Sequence, residues 1–244
     1  MMTLLYKFIL FFYDIKMKIL GLIPARGNSK GVKKKNLKKF LGKPLIQHTI
    51  EQAKKSKLIT DLYVSTENNE IEKISRKLLC KVIKRAKNLA KDNTLIMSVI
   101  LDVINKLEKK KNYFDYFILL QPTSPRLVAD IDKSLNKLIK SNFDSLISVH
   151  KVEDSHPARM YKIKNKKLYS LNKKYEYYNR QDLPDIYHRN GAIYAIKYKK
   201  LKKFKTFFLN KCLPYIMPIS KSITLDTEMD FCISEAICKK NKFL

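Results

Sequence analysis

Four short stretches hold the residue types and spacings that could do chemistry. The first runs from Arg26 through Gly27, Ser29, Lys30 and Gly31 to Lys35 and Asn36. Arg26, Lys30 and Lys35 can neutralise a polyphosphate, and the two glycines let backbone N–H groups approach an anion closely. The spacing is neither that of a P-loop nor G-x-G-x-x-G. The second stretch sets Gln121, Thr123 and Ser124 among Pro122 and Pro125, a rigid turn that presents amide and hydroxyl groups. The third, Arg180 to Tyr194, places Arg180, Asn190 and Tyr194 near one another. In the fourth, Leu225 to Asp230, Asp226 is placed to hold a hard cation such as Mg²⁺, which bridges phosphates through oxygen ligands. Thr227 and Asp230 have the [ST]-x-x-[DE] form of a helix N-cap.

These stretches follow the elements that must position them. Residues 18–24 form a short apolar run of the kind found in buried parallel strands. A helix is predicted from Pro44 to about Lys57, with Ile46, Ile50 and Ala53 on one face. Residues 61–66 read as the second strand. Ile71, Ile74 and Leu78 recur at helical spacing, and Leu95 to Leu107 make the clearest amphipathic helix. Residues 115–122 and 145–149 read as strands, with a helix around Ile131, Leu135 and Leu138 between them. Further strands are predicted at 190–197 and 213–219, and a strand-to-helix turn at 224–237. This alternation argues for an α/β fold with a doubly wound, mostly parallel sheet. Ligands in such sheets sit beyond the carboxyl ends of the strands, where the basic loop and the other three stretches fall. Between residues 150 and 188 the pattern becomes Lys- and Tyr-rich with weak periodicity, which reads as an inserted segment.

The formal net charge of +29 raises the question of nucleic acid or an anionic membrane. Of the 51 basic residues only 7 are arginine, and no arginine–aromatic alternation or nucleic-acid motif is present. The lysines are therefore read as solvated surface, with no nucleic-acid partner and no membrane partner. Cys80, Cys212, Cys232 and Cys238 lack zinc-site spacing, and free thiols point to a reducing cytoplasm. At the N-terminus, the apolar run Leu4–Phe12 is interrupted by Lys7 and is too short to span a bilayer. No small-residue cleavage site precedes Met17, which opens the first strand, so residues 1–16 read as an extension outside the fold, such as a misplaced start would give.

Taken together, IPARGNSKG with Lys35-Asn36, GKPLIQHTI, VSTEN, LLQPTSP, RQDLP with NGAIY, and LDTEMDF resemble the acylneuraminate cytidylyltransferases, or CMP-sialic acid synthetases. The six motifs come in family order, and the resemblance covers residues 17–244. It implies a Rossmann-like three-layer sandwich with a small inserted dimerisation segment at 150–188. It implies that the anomeric hydroxyl of a nine-carbon sugar acid attacks the α-phosphorus of CTP, giving a CMP-sugar and pyrophosphate, with Mg²⁺ as cofactor and a homodimer as the working form. The sugar acid would be of the sialic, legionaminic or pseudaminic type; the alternatives are an eight-carbon sugar acid, as for CMP-Kdo synthetases, or, from a different class, a basic nucleic-acid-binding module.

By motif match, Arg26, Gly27, Ser29, Lys30, Lys35 and Asn36 would bind the nucleotide, with Lys35 stabilising charge on the α-phosphate. Arg85 matches a nucleotide-binding arginine, and Asp226 a Mg²⁺-binding aspartate. Gln121, with Thr123 and Ser124, would meet the sugar, and Arg159, Arg180, Asn190, Tyr194, Phe207 and Phe208 fall where the family builds its sugar pocket. Two departures stand out. Many members read Asp-x-Asp-Thr-Glu where this chain reads Thr224-Leu225-Asp226-Thr227-Glu228, one carboxylate fewer. After Asp92 the chain reads Asn-Thr-Leu-Ile, more apolar than the small hydroxyl residues common there.

Overall fold

The apolar run after Met17 becomes β1 (Ile19–Pro24), the strand around which the protein is organised. The computed structural model describes residues 17–124 and 127–241; the N-terminal extension at 1–16 lies outside them. After β1 come the two-residue ribbons β2 (Lys39–Phe40) and β3 (Lys43–Pro44), then α1 (Leu45–Lys54), β4 (Asp61–Thr66), α2 (Asn69–Lys77) and β5 (Lys81–Lys84). The chain continues through α3 (Ile96–Glu108), β6 (Tyr116–Leu120), α4 (Val128–Ile139) and β7 (Ser145–Lys151). A hairpin of β8 (Tyr161–Lys164) and β9 (Lys167–Ser170) precedes β10 (Tyr187–Lys197), α5 (Tyr198–Phe204), β11 (Cys212–Ile216) and α6 (Glu228–Asn241).

The central sheet has seven strands in the order β11-β7-β10-β6-β1-β4-β5. All neighbours pair parallel except β10, which runs antiparallel to both β6 and β7. From β1 the chain moves outward to β4 and β5, then returns to β6 on the other side of β1. Strand order therefore reverses at β1, opening a crevice beyond the carboxyl ends of β1, β4 and β6.

Both faces of β1 are covered, which is why its sequence is a continuous apolar run rather than an alternation. Ile19 and Ile23 pack under α1, α2 and α4, with Ile50, Ile71 and Leu135 in the same cluster. Leu20 and Leu22 face α3 and α5, packing with Ile100, Val103 and Leu201. A third, smaller cluster joins Val32 and Phe40 of the basic loop region to Leu225, Phe231 and Cys238 near the C-terminus. This last cluster brings two of the four chemistry-bearing stretches together, although Lys35 and Asp226 within them lie 191 positions apart in sequence.

The helices at 69–77 and 96–108 and the strands at 61–66 and 116–120 fall where the periodicity placed them. Asn68 caps α2, its Oδ1 accepting the N–H of Ile71 at 3.0 Å. Helix α1 ends three residues before the predicted Lys57, and Pro44 sits at its N-cap rather than inside its first turn. No strand forms at 224–226; the apolar Leu225 is instead buried by the third cluster, and its N–H donates to the carbonyl of Thr123 at 2.8 Å. Residues 152–186 form no part of the central sheet. Their β8–β9 hairpin turns through Asn165 and Lys166, both at positive φ as a tight hairpin turn demands. Ile163, Leu168 and Tyr177 stand exposed on this arm. Among the described residues no helix is long and apolar enough to cross a membrane.

Candidate active site

The basic loop is held rigid from within. Ser29 Oγ donates to the carbonyl of Val32 at 2.8 Å and accepts the N–H of Lys35 at 3.1 Å. Buried Asn36 donates from Nδ2 to the carbonyl of Arg26 at 2.9 Å, and the N–H of Gly27 donates to Glu67 Oε1 at 2.6 Å. Both glycines are required by close packing: a Cβ on Gly27 would lie 2.6 Å from Asn68 Nδ2, and one on Gly31 2.3 Å from the carbonyl oxygen of Asp226. The loop is thus clamped between the end of β4 and the turn before α6. Arg26, Lys30 and Lys35 are left to face the crevice.

That crevice is a cavity of about 560 Å³ lined by Arg26, Ser29, Lys30, Lys35, Asn36, Arg85, Gln121, Thr123 and Asp226. Three of its cations are paired with carboxylates that a polyphosphate could replace. Arg26 Nη1 lies 2.5 Å from Asp92 Oδ1, Lys30 Nζ lies 3.7 Å from Asp92 Oδ2, and Lys35 Nζ lies 2.6 Å from Asp226 Oδ1. Lys38 pairs in the same way with Glu228. Arg85 is buried at the back of the cavity, where it donates to Ser65 through Nε and Nη2. Burial lowers its pKa, with Glu67 opposing that effect and Arg26 adding to it.

Asp226 is held by its backbone. The N–H groups of Asp226 and Thr227 donate to Asp230 Oδ2 at 2.9 and 2.7 Å, and Asp230 N–H donates to Thr227 Oγ1 at 3.2 Å. This is the reciprocal cap expected from the sequence. Burial alone would raise the Asp230 pKa, but those backbone donors outweigh it and hold the carboxylate below its ordinary range. The Asp226 carboxylate lines the cavity and is 65% exposed, with Oδ1 on the Lys35 ammonium. Thr224, at the position of the missing carboxylate, donates from Oγ1 to the Asn190 carbonyl at 3.2 Å. Among the described residues no group of three or more His, Cys, Asp or Glu could hold a metal. Asp92 and Asp226 are the carboxylates that line the cavity, and oxygen donors of this kind suit a hard ion such as Mg²⁺ whose shell is completed by substrate phosphates and water.

A second cavity, about 320 Å³, adjoins the first and shares Gln121 and Ile96 with it. Tyr194, Phe207, Phe208, Leu95, Met97 and Arg189 complete much of its wall. The rings of Tyr194 and Phe207 pack 5.3 Å apart, and burial raises the Tyr194 pKa. The Arg189 guanidinium lies 5.0 Å over the ring of Phe208. The register of β10 shifts between Arg189 and Tyr194, and Gly191 takes a φ of 73° there. A bulge of this kind re-aims side chains at a strand end. A Cβ on Gly191 would come within 3.2 Å of Gln121 Oε1.

The structure brings Arg26, Ser29, Lys30, Lys35, Asn36, Arg85, Thr123 and Asp226 around one cavity, and Gln121, Tyr194, Phe207 and Phe208 around its neighbour; Gly27 packs behind the loop, its N–H donated to Glu67. It does not bring the rest there. Asn190 is buried and fully engaged: Nδ2 donates to Ser222 Oγ at 2.9 Å, and Oδ1 accepts from Ser148 Oγ and Ala192 N–H. Ser124 is also buried, its Oγ 3.3 Å from the Asn190 carbonyl. Both brace the bulge instead of facing a ligand. Arg159 and Arg180 line a separate cavity of about 340 Å³ with Lys151, His156 and Asp185, because both sit on the arm between β7 and β10. Sequence reasoning passed over Arg189, although it lies inside the same motif as Tyr194 and is one of only 7 arginines. It also passed over Glu67 and Asp92, whose partners are distant in sequence.

Residues 20–236 match the family model described as Cytidylyltransferase. The chain is 30% identical over 227 residues to the pseudaminic acid cytidylyltransferase of Campylobacter jejuni, covering 92% of this chain and 98% of that protein. It is also 30% identical over 230 residues to the CMP-N,N'-diacetyllegionaminic acid synthase of Legionella pneumophila, covering 93% and 98%. Among solved structures, a CMP:2-keto-3-deoxy-manno-octonic acid synthetase complexed with CTP superposes with a TM-score of 0.68 at 18% identity, over 92% of this chain and 99% of that one.

Proposed function

From the premise that this chain belongs to the cytidylyltransferase family and is a nucleotidyltransferase, we propose that it transfers CMP from CTP to the anomeric hydroxyl of a nine-carbon sugar acid, releasing pyrophosphate. The observation that carries this reading is the pair of cavities meeting at Gln121, one rimmed by cations and the other largely apolar with a single guanidinium. CTP occupies the first, its triphosphate exchanging for the carboxylates of Asp92 and Asp226 on Arg26, Lys30 and Lys35. The sugar acid occupies the second. The oxygen that attacks the α-phosphorus then lies at the shared wall, and Gln121 orients it.

Phosphoryl-type transfer needs positioning and charge neutralisation more than covalent help from the protein. Before CTP binds, Lys35 is held in the cavity by Asp226 at 2.6 Å and by the laced loop, so its ammonium is already in place when the triphosphate takes over from that carboxylate. A Mg²⁺ ion held at Asp226 would neutralise charge on the phosphate oxygens. Arg189 is the arginine of the second cavity, and a planar fork suits a carboxylate; it binds the acid group of the sugar. The homodimer belongs to the same proposal. The arm at 150–188 exposes apolar residues and carries Arg159 and Arg180, which reach a sugar site only when a second copy offers its own.

Pyrophosphate release from CTP and Mg²⁺ across sialic, legionaminic, pseudaminic and eight-carbon sugar acids tests the reading. Release with a nine-carbon acid is the expected result. Release with the eight-carbon acid alone would replace it with the alternative. Light scattering checks the dimer, and removal of residues 161–170 is expected to give a monomer.

A further inference from the structure

We infer that the second cavity selects a nine-carbon sugar acid whose tail is deoxygenated and N-acylated over one whose tail carries three free hydroxyls. The inference rests on the function proposed above and names the substrate class of the same site.

The observation behind it is an apolar wall left exposed among the described residues. Leu95 occupies the N-cap of α3, where a serine, threonine, aspartate or asparagine would satisfy the free N–H groups of the first turn; no side-chain cap is made there. Leu95 is instead 73% exposed, with Ile96 at 38% and Phe208 at 59%. Together with Met97, these side chains line one cavity. A chain that forgoes a helix cap and leaves large apolar groups in water around a cavity is shaped for an apolar part of a ligand. The hydrogen-bonding side chains of the wall lie apart from Leu95, Ile96 and Met97 in sequence: Arg189 serves the carboxylate, Gln121 lies at the junction with the nucleotide, Tyr194 packs against Phe207, and Lys205 and Thr206 precede Phe207 and Phe208.

A tail with three hydroxyls would surrender water on entering and meet few donors or acceptors, which is unfavourable for each group left unpaired. A terminal methyl and the methyl of an acylamino group would instead cover Leu95, Met97 and Phe208. Selectivity of this kind is moderate, because a hydrophobic pocket rejects an added hydroxyl by only about 100-fold.

The test compares kcat/KM for N-acetylneuraminic acid and for a 5,7-diacylamino-9-deoxy nonulosonic acid, at saturating CTP and Mg²⁺. A preference of roughly 10- to 100-fold for the deoxy acid is expected. Equal rates, or preference for N-acetylneuraminic acid, would overturn the inference while leaving the proposed function standing. Turnover with neither nine-carbon acid, while CTP still binds, would overturn both. The double variant Leu95→Ser, Met97→Ser ties the preference to the wall. Serine at position 95 suits an N-cap, so the variant is expected to fold; a Tm within a few degrees of the parent and an unaltered KM for CTP check this. The preference should shrink toward parity. An unchanged ratio in the folded variant would show that this wall does not select the substrate.

Discussion

The two adjoining cavities are built on opposite principles. Around the first, the charged and polar groups that hold the basic loop have intramolecular partners: Arg26 with Asp92, Lys35 with Asp226, Asn36 with the Arg26 carbonyl, and behind them Gly27 with Glu67. Around the second, large apolar side chains face solvent and the guanidinium of Arg189 rests on an aromatic ring. The first is preorganised by charge and hydrogen bonds, so ligand binding exchanges one set of anions for another. The second gains most from the water that its ligand displaces. One site can therefore be common to many enzymes of the family while its neighbour is retuned by a few side chains at the start of a helix.

The contrast can be broken most severely at Lys35. Lys35→Ala should lower kcat by about 100- to 1,000-fold, the usual result of removing one preorganised charge-stabilising group. The sugar KM should hardly move; initial-rate kinetics in both substrates would check this, and a large rise in sugar KM would mean that the cavities are not separable. Arg189→Ala is the converse. It should lower kcat/KM for the sugar acid by about 10- to 100-fold, as loss of a hydrogen bond to a charged group does, with the CTP KM unchanged. Arg189→Lys should recover only part of the loss, since an ammonium cannot reproduce the two-pronged contact.

Smaller effects sharpen the picture of preorganisation. Asp230→Ala removes the cap that fixes the Asp226 turn. It should cost about 1 kcal/mol of stability, read as a lowered Tm, and should raise the KM for CTP more than that for the sugar. The smallest effect concerns pH. His48, beneath the basic loop, bonds the Phe40 carbonyl at 2.6 Å and contacts the Phe40 ring edge-on. Burial lowers its pKa and Lys43 helps, while the Phe40 bond, Glu51 and Glu235 act the other way. His150, paired with His188, is lowered by burial too. A histidine held neutral in the fold contributes stability above its unfolded pKa of about 6.5 and loses it as the pH falls, because the unfolded chain takes the proton first. Thermal stability, read as Tm, should therefore fall below about pH 6.5, and His48→Gln should flatten part of that slope.

Much of this could be read in the sequence. The continuous apolar run of β1 marked a strand buried on both faces, and the spacing of Val99, Val103 and Leu107 marked α3. Thr227 and Asp230 announced a cap that forms as written. The basic loop was recognisable by its position after the first strand and by the rarity of its arginine. Less legible was which polar residues look inward: Asn190 and Ser124 carry the right chemistry in the right motif, yet the β10 bulge turns them into its own supports. Arg159 and Arg180 were legible as arginines, but their arm carries them to a different cavity.

The sequence by itself determined the layered α/β fold, the family and the cationic character of the nucleotide site. These follow from local periodicity and residue type, which neighbouring positions along the chain already encode. Only the tertiary structure decided that Asp226 meets Lys35, that Asp92 meets Arg26, and that Leu95 and Phe208 face one cavity beside Arg189. Those pairings join residues as many as 191 positions apart, and they depend on strand order, a register shift and the packing of a small third core, none of which a linear pattern contains.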